Sequence, residues 1–284
     1  MFLISCTKKE VSTVSFNVTT TSTTFNVGDS VVFTMAGNPD YIVFYSGETG
    51  SKYENRNRDT AFGTPTLSFL SAALNGSDTG TLHLMLSTNF SGIYDSSHVK
   101  NANWTDITNL VKLPTKNNDT LFSGNISLFD FIHKDTPIYV AFKYADQQNG
   151  ITSQRTWLIQ NLVLKNILQD STSTTLLDLP NSVWLGVNML NSAAIWSIST
   201  TAFKISGGNA TAPSNEDWLV SQPINLTRVT PDVGTSIKTF TDPILKSYYH
   251  VFKKPGTYSI VFDAINANSN GSQETLRTIN ITVK

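Results

Sequence analysis

The chain has 284 residues and a formal net charge of −1 at pH 7. Charged residues make up only 14% of it, and Ser, Thr and Asn supply much of the polar surface, as in exported all-β proteins. A net charge so close to zero provides no field that would attract nucleic acid or an anionic membrane surface. We therefore expect no nucleic-acid partner.

The only cysteine of the chain is Cys6, so no internal disulfide can form. The sequence Leu3-Ile4-Ser5-Cys6 resembles a bacterial lipobox, in which the cysteine thiol becomes lipidated; a chance cysteine is the alternative. The residues before Cys6 are too few for the basic region and apolar segment of a signal peptide, so the start is internal or the leader has been trimmed. We expect residues 1–10 to be a leader remnant and tether, with lipid on Cys6 as the membrane contact.

Two strands are predicted early in the chain. Val31, Phe33 and Met35 alternate with other residues, a pattern that buries one face of a strand. Asn38-Pro39-Asp40 is a turn signal, because Pro fixes φ and Asn and Asp bond to their own backbone. The mostly apolar segment Tyr41–Tyr45 is the second strand, and a polar loop containing glycine follows it.

From about residue 66 onward, short strands recur at a spacing of about ten residues, which indicates a sandwich or a barrel. Polar loops rich in Asn, Asp, Gly and Ser separate them. No segment shows a sustained apolar stripe of helical period, so helix should be scarce. The predicted strands are Leu67–Leu70, Leu82–Leu86, Gly124–Leu128, Ile138–Tyr144, Trp157–Leu164, Ala202–Ser206 and Trp218–Ile224.

Two strong strands close the chain, Tyr258–Ala264 and Thr278–Val283, and Asn268–Ser272 is the hairpin between them. Residues 248–284 resemble the second half of a polycystic-kidney-disease (PKD) domain, a small β-sandwich. The matching segments are Tyr248–Phe252, Pro255-Gly256-Thr257-Tyr258, Ile260–Ala264 and Asn266–Gly271. Val31–Phe33 and Ile42–Gly50 look like a degenerate first half of such a domain, without its Trp-Asp-Phe-Gly-Asp-Gly motif.

The middle of the chain resembles the jelly-roll domains of the cleaved-adhesin and choice-of-anchor type. The resemblance is carried by Leu84–Asp95, Ala102–Thr108, Ser123–Leu128, Pro137–Tyr144 and Thr156–Leu164. Glu216–Leu226 resembles a segment that precedes these strands in such domains but follows them here. The resemblance therefore implies a circularly rearranged jelly roll.

Together these patterns predict an all-β protein in which a jelly-roll β-sandwich, residues 62–235, is nested within a discontinuous PKD/Ig-like β-sandwich. The discontinuous sandwich is expected to comprise residues 11–60 and 238–284. Over nearly its full length the chain also resembles an uncharacterised lipoprotein family of Bacteroidota, domain-of-unknown-function family 5017. Because such proteins are often encoded beside glycan-uptake systems, the resemblance implies an exported lipoprotein of the outer membrane or cell surface.

We expect no enzymatic activity, because the sequence offers no convincing catalytic group. It has no Gly-x-Ser-x-Gly nucleophile elbow. Glu48 and Glu54 could supply the facing carboxylates of a glycosidase, but a solvated loop is the simpler interpretation. The histidines do not have the spacing of metal ligands; they are His83, His98, His133 and His250.

A structural Ca²⁺ is the expected cofactor, because jelly rolls of this type commonly hold one through carboxylates and backbone carbonyls, which suit a hard cation. The candidate ligands are Glu216 and Asp217, beside Trp218, and Asp95. The alternative is that Asn215-Glu216-Asp217 is a polar turn leading into a strand.

Two aromatic groups are candidates for binding carbohydrate, since sugars offer an apolar face to aromatic rings and hydroxyls to polar groups. Trp184 and Trp196 lie in polar, loop-like sequence, whereas Trp104, Trp157 and Trp218 belong to strand motifs and are expected in the core. The second group is Tyr45, Tyr53, Arg56 and Arg58. Packing is the alternative for each group, with the two arginines paired to Asp59 or Glu54.

The sequence thus predicts a non-catalytic cell-surface lipoprotein that binds a polysaccharide or oligosaccharide as part of a glycan-uptake system. It would touch the membrane only through its lipid. The alternative is a structural or protein-docking accessory, similar to an adhesin, of an outer-membrane uptake complex.

Overall fold

The computed structural model describes residues 10–133 and 136–284. It is nearly all β, with 47% strand and 5% helix, and its antiparallel sheets form a sandwich-like arrangement, which confirms the predicted fold class. The chain divides into two compact units. Unit 1 takes the residues up to Asp59 together with Thr230–Lys284, and unit 2 is Thr60–Val229. The sequence had placed these borders at residues 60–62 and 235–238.

The helices are few and short: α1 (Ser96–Asn101) and the 3-10 turns Tyr53–Asn55, Thr108–Leu110 and Phe129–Phe131. The strands of the described residues are β1 (Phe16–Thr20), β2 (Thr24–Phe25), β3 (Ser30–Gly37), β4 (Tyr41–Tyr45), β5 (Thr64–Leu74), β6 (Leu82–Ser87), β7 (Thr105–Asp106), β8 (Asp119–Phe122), β9 (Ile126–Ser127), β10 (Tyr139–Asp146), β11 (Thr156–Ile167), β12 (Ser173–Asp178), β13 (Trp184–Asn188), β14 (Ser197–Ile198), β15 (Ala202–Ile205), β16 (Asn215–Ser221), β17 (Thr235–Lys238), β18 (Ser247–Val251), β19 (Gly256–Asn268) and β20 (Gly271–Val283).

Unit 1 has two sheets, and each of them joins strands from both ends of the chain. The three-stranded sheet has the order β1-β3-β18, and the five-stranded sheet has the order β17-β4-β19-β20-β2. In the larger sheet β4 pairs antiparallel with β19, so that Phe44 lies opposite Phe262 and Val43 lies opposite Asp263. Strands that are more than 200 residues apart in sequence are therefore direct neighbours.

The core of unit 1 is built around three phenylalanines with at most 2% of their surface exposed. Phe33 lies on β3 of the smaller sheet, and Phe44 and Phe262 lie on β4 and β19 of the larger one. The ring centroid of Phe262 is 5.1 Å from that of Phe33 and 5.2 Å from that of Phe44. Aromatic pairs at such distances contribute about 1 kcal/mol each beyond area burial, and the Phe33–Phe262 contact joins the two sheets.

Unit 2 is also a sandwich of two sheets. One has the order β13-β16-β10-β6-β7, and the other has the order β14-β15-β11-β5-β8, with β12 added to β11 and β9 to β5. Both sheets contribute to one apolar core, in which Phe69 of β5 meets Phe142 of β10 edge to face, with centroids 5.2 Å apart. Ile159 and Leu219 belong to the same core.

The outer face of the first of these sheets is apolar as well, because β10 and β16 carry buried side chains on both faces. Residues 90–104, including α1, cover this face and form a second apolar cluster with it. Within that cluster the rings of Trp104 and Trp218 are 5.0 Å apart. Trp218 and Trp157 are buried, and Trp104 is half-buried.

Candidate functional site

A polar and aromatic surface lies on the outer face of the five-stranded sheet of unit 1. Tyr45 on β4 follows the buried Phe44, and Asp263 on β19 lies between buried neighbours, so strand alternation turns both side chains away from the core. The turn Tyr53–Asn55 packs over this face. The rings of Tyr45 and Tyr53 meet edge to face with their centroids 5.2 Å apart.

Backbone contacts to residues 232–234 hold the turn in place. The amide of Lys52 donates to Asp232 Oδ2 at 2.9 Å, and the amide of Val233 donates to the carbonyl of Gly50 at 3.0 Å. Gly234 passes so close to Tyr45 that a Cβ at this position would lie 2.8 Å from the tyrosine ring. The same Cβ would lie 2.5 Å from Val43 Cγ1, so a side chain at residue 234 would displace Val43 as well as Tyr45.

Three contacts of Tyr53 define the surface. The guanidinium carbon of Arg56 lies 3.7 Å above the centroid of the Tyr53 ring, a cation–π contact. Arg56 Nη1 also donates to the carbonyl of Tyr53 at 3.0 Å, and the Tyr53 hydroxyl donates to Glu274 Oε1 at 2.9 Å. Glu274 is itself exposed. We name this group the Tyr53 surface; its members are Tyr45, Tyr53, Arg56, Asp263 and Glu274.

Asp263 and Tyr53 of this surface have pKa values above their usual ranges. Burial raises the pKa of Asp263 to about 6, and the nearby Glu274 adds to the increase. Burial, together with the hydrogen bond to Glu274, raises the pKa of Tyr53 to about 12. Asp263 Oδ1 is closed to solvent and has no hydrogen-bond partner among the described residues. The ionised form of the half-buried Asp263 carboxyl is therefore the least stable charge of the surface.

The structure brings together three of the four residues predicted for this cluster, Tyr45, Tyr53 and Arg56. Arg58 is not part of it, because its Nη2 is 3.3 Å from Asp232 Oδ1 in an ion pair. The sequence analysis considered Asp59 and Glu54 as partners of Arg58, but the observed partner, Asp232, is 174 residues away in sequence. Asp263 and Glu274 were missed for the same reason, although the alternation of β19 already places Asp263 on the outer face.

Trp184 and Trp196 do not form a binding surface, which corrects the prediction made from their polar neighbours. Their side chains are only 4% and 5% exposed and belong to the core of unit 2. The Trp184 ring is 5.1 Å from that of Phe203, and the Trp196 ring is 6.4 Å from that of Phe142. Both rings lie between the sheets, where no sugar ring could stack on them.

The three predicted calcium ligands do not form one site. Asp95 caps α1 by accepting from the amide of His98 at 2.9 Å, and it also pairs with the His98 ring at 2.8 Å. Glu216 accepts from the Trp218 indole at 3.0 Å and lies 3.5 Å from Lys143 Nζ. Among residues 10–133 and 136–284, no three His, Cys, Asp or Glu side chains are grouped as a metal site.

Asp217 differs from the other two predicted ligands, because it is only 1% exposed and forms no ion pair with the part of the chain that the structure describes. Burial raises its pKa to about 6. Its Oδ2 and the Oδ1 of Asn215, two residues earlier on the same face of β16, are buried without hydrogen-bond partners among the described residues. Buried charges in proteins are normally paired or bound to a metal. The Oδ2 atom of Asp217 and the Oδ1 atom of Asn215 are therefore the remaining candidates for calcium ligands.

The predicted lipidation site, Cys6, lies outside the described residues. Within the part of the chain that is described, no helix is long and apolar enough to cross a bilayer.

A family model described as a domain of unknown function (DUF5017) matches residues 5–184, which is more than half of the chain. The chain belongs to the DUF5017 family. The match includes Tyr45, Tyr53 and Arg56, whereas Asp263 and Glu274 lie beyond its end. No curated protein and no solved structure matches the chain at a significant level. The family has no assigned function, so the functional argument for this DUF5017 member is based on its geometry.

The raised pKa of Asp263 predicts a pH-dependent stability. Its folded-state pKa of about 6 exceeds the usual value of about 4, so ionisation destabilises the fold increasingly as the pH rises through this window. We expect Asp263→Asn to increase the free energy of unfolding by about 1 kcal/mol at pH 7.5, and the gain to shrink towards pH 4. Urea unfolding at both pH values measures this gain in stability.

The control is Asp59→Asn, at an exposed position. An equal gain from Asp263→Asn at both pH values would contradict the raised pKa assigned to Asp263.

Calcium remains a prediction, now with Asp217 and Asn215 as the protein ligands. A cation bound only by the folded state stabilises it by mass action. We expect saturating Ca²⁺ to raise the melting temperature by about 2–4 °C over that in chelator. Asp217→Asn should abolish the rise, and Glu216→Gln should preserve it. Equal melting temperatures of the unmodified protein with calcium and with chelator would contradict the prediction.

Proposed function

We propose that this chain is a non-catalytic carbohydrate-binding protein and that the Tyr53 surface binds a polysaccharide or oligosaccharide. The observation that carries the proposal is the juxtaposition of two tyrosine rings, one guanidinium and two carboxyl groups on one face of unit 1. Carbohydrate sites combine these groups, because a sugar presents C–H bonds to aromatic rings and hydroxyls to charged acceptors and donors.

The charges of the Tyr53 surface favour an uncharged glycan. Arg56 supplies one positive charge, and Asp263 and Glu274 supply two carboxyl groups that carry negative charge at neutral pH. An anionic sugar would meet net repulsion there, whereas neutral hydroxyls can donate to Glu274 and accept from Arg56. Hydrogen bonds to charged groups contribute about 1.5–3 kcal/mol each, enough to orient a sugar ring against Tyr53.

The non-catalytic part of the proposal draws support from the carboxylates of the opening hairpin. Glu48 Oε2 is 2.7 Å from His250 Nε2 on β18, so this carboxylate is engaged within the fold. Glu54 is exposed in the 3-10 turn Tyr53–Asn55. A glycosidase needs two carboxyl groups that face each other across the scissile bond, and neither residue is held in that way.

Export and anchoring complete the proposal. The lipobox resemblance at Cys6 and the low charged content support an exported lipoprotein, held at the outer membrane or cell surface by its lipid. Glycan binding at that location would serve a glycan-uptake system. These parts depend on the sequence, and acyl labelling of the protein with a Cys6→Ser control addresses them.

A docking accessory of an outer-membrane complex is the second candidate. Residues 240–249 of unit 1 expose three large apolar side chains, with exposures of 64% for Phe240, 56% for Ile244 and 66% for Tyr249. Exposed apolar side chains of this size are typical of protein contacts. Co-purification with a membrane partner would favour this candidate.

Retention on a panel of neutral and acidic polysaccharides tests the proposed function. We expect a neutral glycan to be retained and Tyr53→Ala to weaken its binding by at least about tenfold, since a stacked ring contributes about 1.5 kcal/mol. Tyr249→Ala removes an exposed tyrosine outside the surface and should leave binding unchanged.

Two results would contradict the proposed function. The first is uniform failure to bind the panel, which would leave the docking candidate. The second is release of reducing sugar that disappears in Glu48→Gln, Glu54→Gln or Glu274→Gln, because this would make the protein a hydrolase.

A further inference from the structure

Unit 2 contains a pocket that the proposed function does not use. It has a volume of about 120 Å³ and lies where β6 and β11 begin. Apolar side chains form much of its wall, among them Leu82, Leu113 and Trp157, and Arg155 supplies a cation. No sequence pattern indicates this site, because Arg155 follows a polar loop and precedes an ordinary strand.

The Arg155 side chain is a buried charge that forms no ion pair with the described residues; its guanidinium carbon lies 5.9 Å from the centroid of the Trp157 ring. Arg155 is only 2% exposed. Its Nε and Nη1 atoms are closed to solvent and have no hydrogen-bond partner, and no ion pair involves it within residues 10–133 and 136–284. A guanidinium cannot lose its proton in a protein, and an unpaired buried charge is strongly destabilising. An anion in the pocket would supply the missing partner.

The backbone around Arg155 is fixed without help from its guanidinium. Its amide donates to Asp146 Oδ2 at 2.8 Å, and its carbonyl accepts from the Tyr144 hydroxyl at 2.9 Å. The adjacent Trp157 donates through its indole to Thr81 Oγ1 at 2.9 Å. The side chain is therefore presented to the pocket by a rigid frame, and replacing it leaves these contacts in place.

Two other polar side chains of the lining are already engaged within the fold. The Nδ1 atom of His83 is 2.9 Å from Asp106 Oδ2. Thr108 Oγ1 accepts from the amide of Leu84 at 2.9 Å, and its side chain is also hydrogen-bonded to Asp106. The one carboxylate of the lining, Asp78, already accepts from Asn149 Nδ2 at 3.1 Å and from Thr152 Oγ1 at 2.5 Å.

We propose that this pocket binds a small organic carboxylate. The carboxylate pairs with the positive charge of the Arg155 guanidinium. The apolar part of the ligand lies against Leu113 and Trp157. The apolar wall favours an organic acid over sulfate or phosphate, because an inorganic anion would lose its hydration there without recovering it from the protein. The site is independent of the Tyr53 surface.

The test is a titration of the full chain with butyrate, followed through the indole N–H resonance of Trp157, which Trp157→Phe assigns. Butyramide is the matched neutral ligand, and sulfate is the inorganic anion. We expect butyrate to shift the resonance saturably and both comparison ligands to be at least about tenfold weaker, as expected when a buried charge contact is lost.

Arg155→Met supplies the second arm of the test. It should weaken butyrate binding by at least about tenfold and should not lower the melting temperature of the free protein, because it removes an unpaired buried charge. Equal shifts with butyrate and butyramide, sulfate binding as tight as butyrate, or no saturable shift in a range that fills a millimolar site would each overturn the proposal. These outcomes do not depend on Arg155→Met, so misfolding of that variant would not obscure them.

Discussion

The pairing of β4 with β19 is the constraint on which unit 1 depends. Phe44 and Phe262 lie directly opposite each other on these adjacent strands and complete the same core. The same pairing fixes the outer face of the sheet, where Tyr45 and Asp263 are turned away from the core. The candidate binding surface is thus a consequence of how the two ends of the chain meet.

An insert of about 170 residues separates the two parts of the sandwich. Closing so long a loop costs little more than closing a short one, because the entropic cost of closure grows only with the logarithm of loop length. Unit 2 reduces this cost further by pairing its own ends. Thr60 forms a bridge with Arg228, and the amide of Ala61 donates to the carbonyl of Thr227 at 2.8 Å. The side-chain amide of Asn166 donates to the carbonyls of both Ala61 and Arg228. Once unit 2 has folded, the ends of the insert lie side by side.

Alternation of apolar residues carried most of the fold prediction. Val31, Phe33 and Met35 predict the face that β3 buries, and the alternation in β19 and β20 predicts two long strands. Such patterns are local, whereas the contacts that decide function join distant residues. Tyr53 donates to Glu274 across 221 positions of the sequence, and no spacing rule could connect them.

The tryptophans show a different limit of sequence reasoning. Polar residues surround Trp184 and Trp196 in the sequence. A single inward-facing position, on a strand or in a loop, is nevertheless enough to bury a large ring. The Arg155 pocket could not be predicted for a related reason, because an arginine beside a predicted strand is common in protein sequences. The pocket is identified by the burial of Arg155 without an ion-pair partner among the described residues.

The most direct test of the account is a double-mutant cycle between the two ends of the chain. Phe44→Leu, Phe262→Leu and the double variant would be unfolded in urea and compared with the unmodified protein. The structure predicts a coupling free energy of about 1 kcal/mol, because the rings are packed against each other. Free energies that add to within about 0.3 kcal/mol would show that β4 and β19 do not share a core, and would contradict the assembly of unit 1 from both ends of the chain.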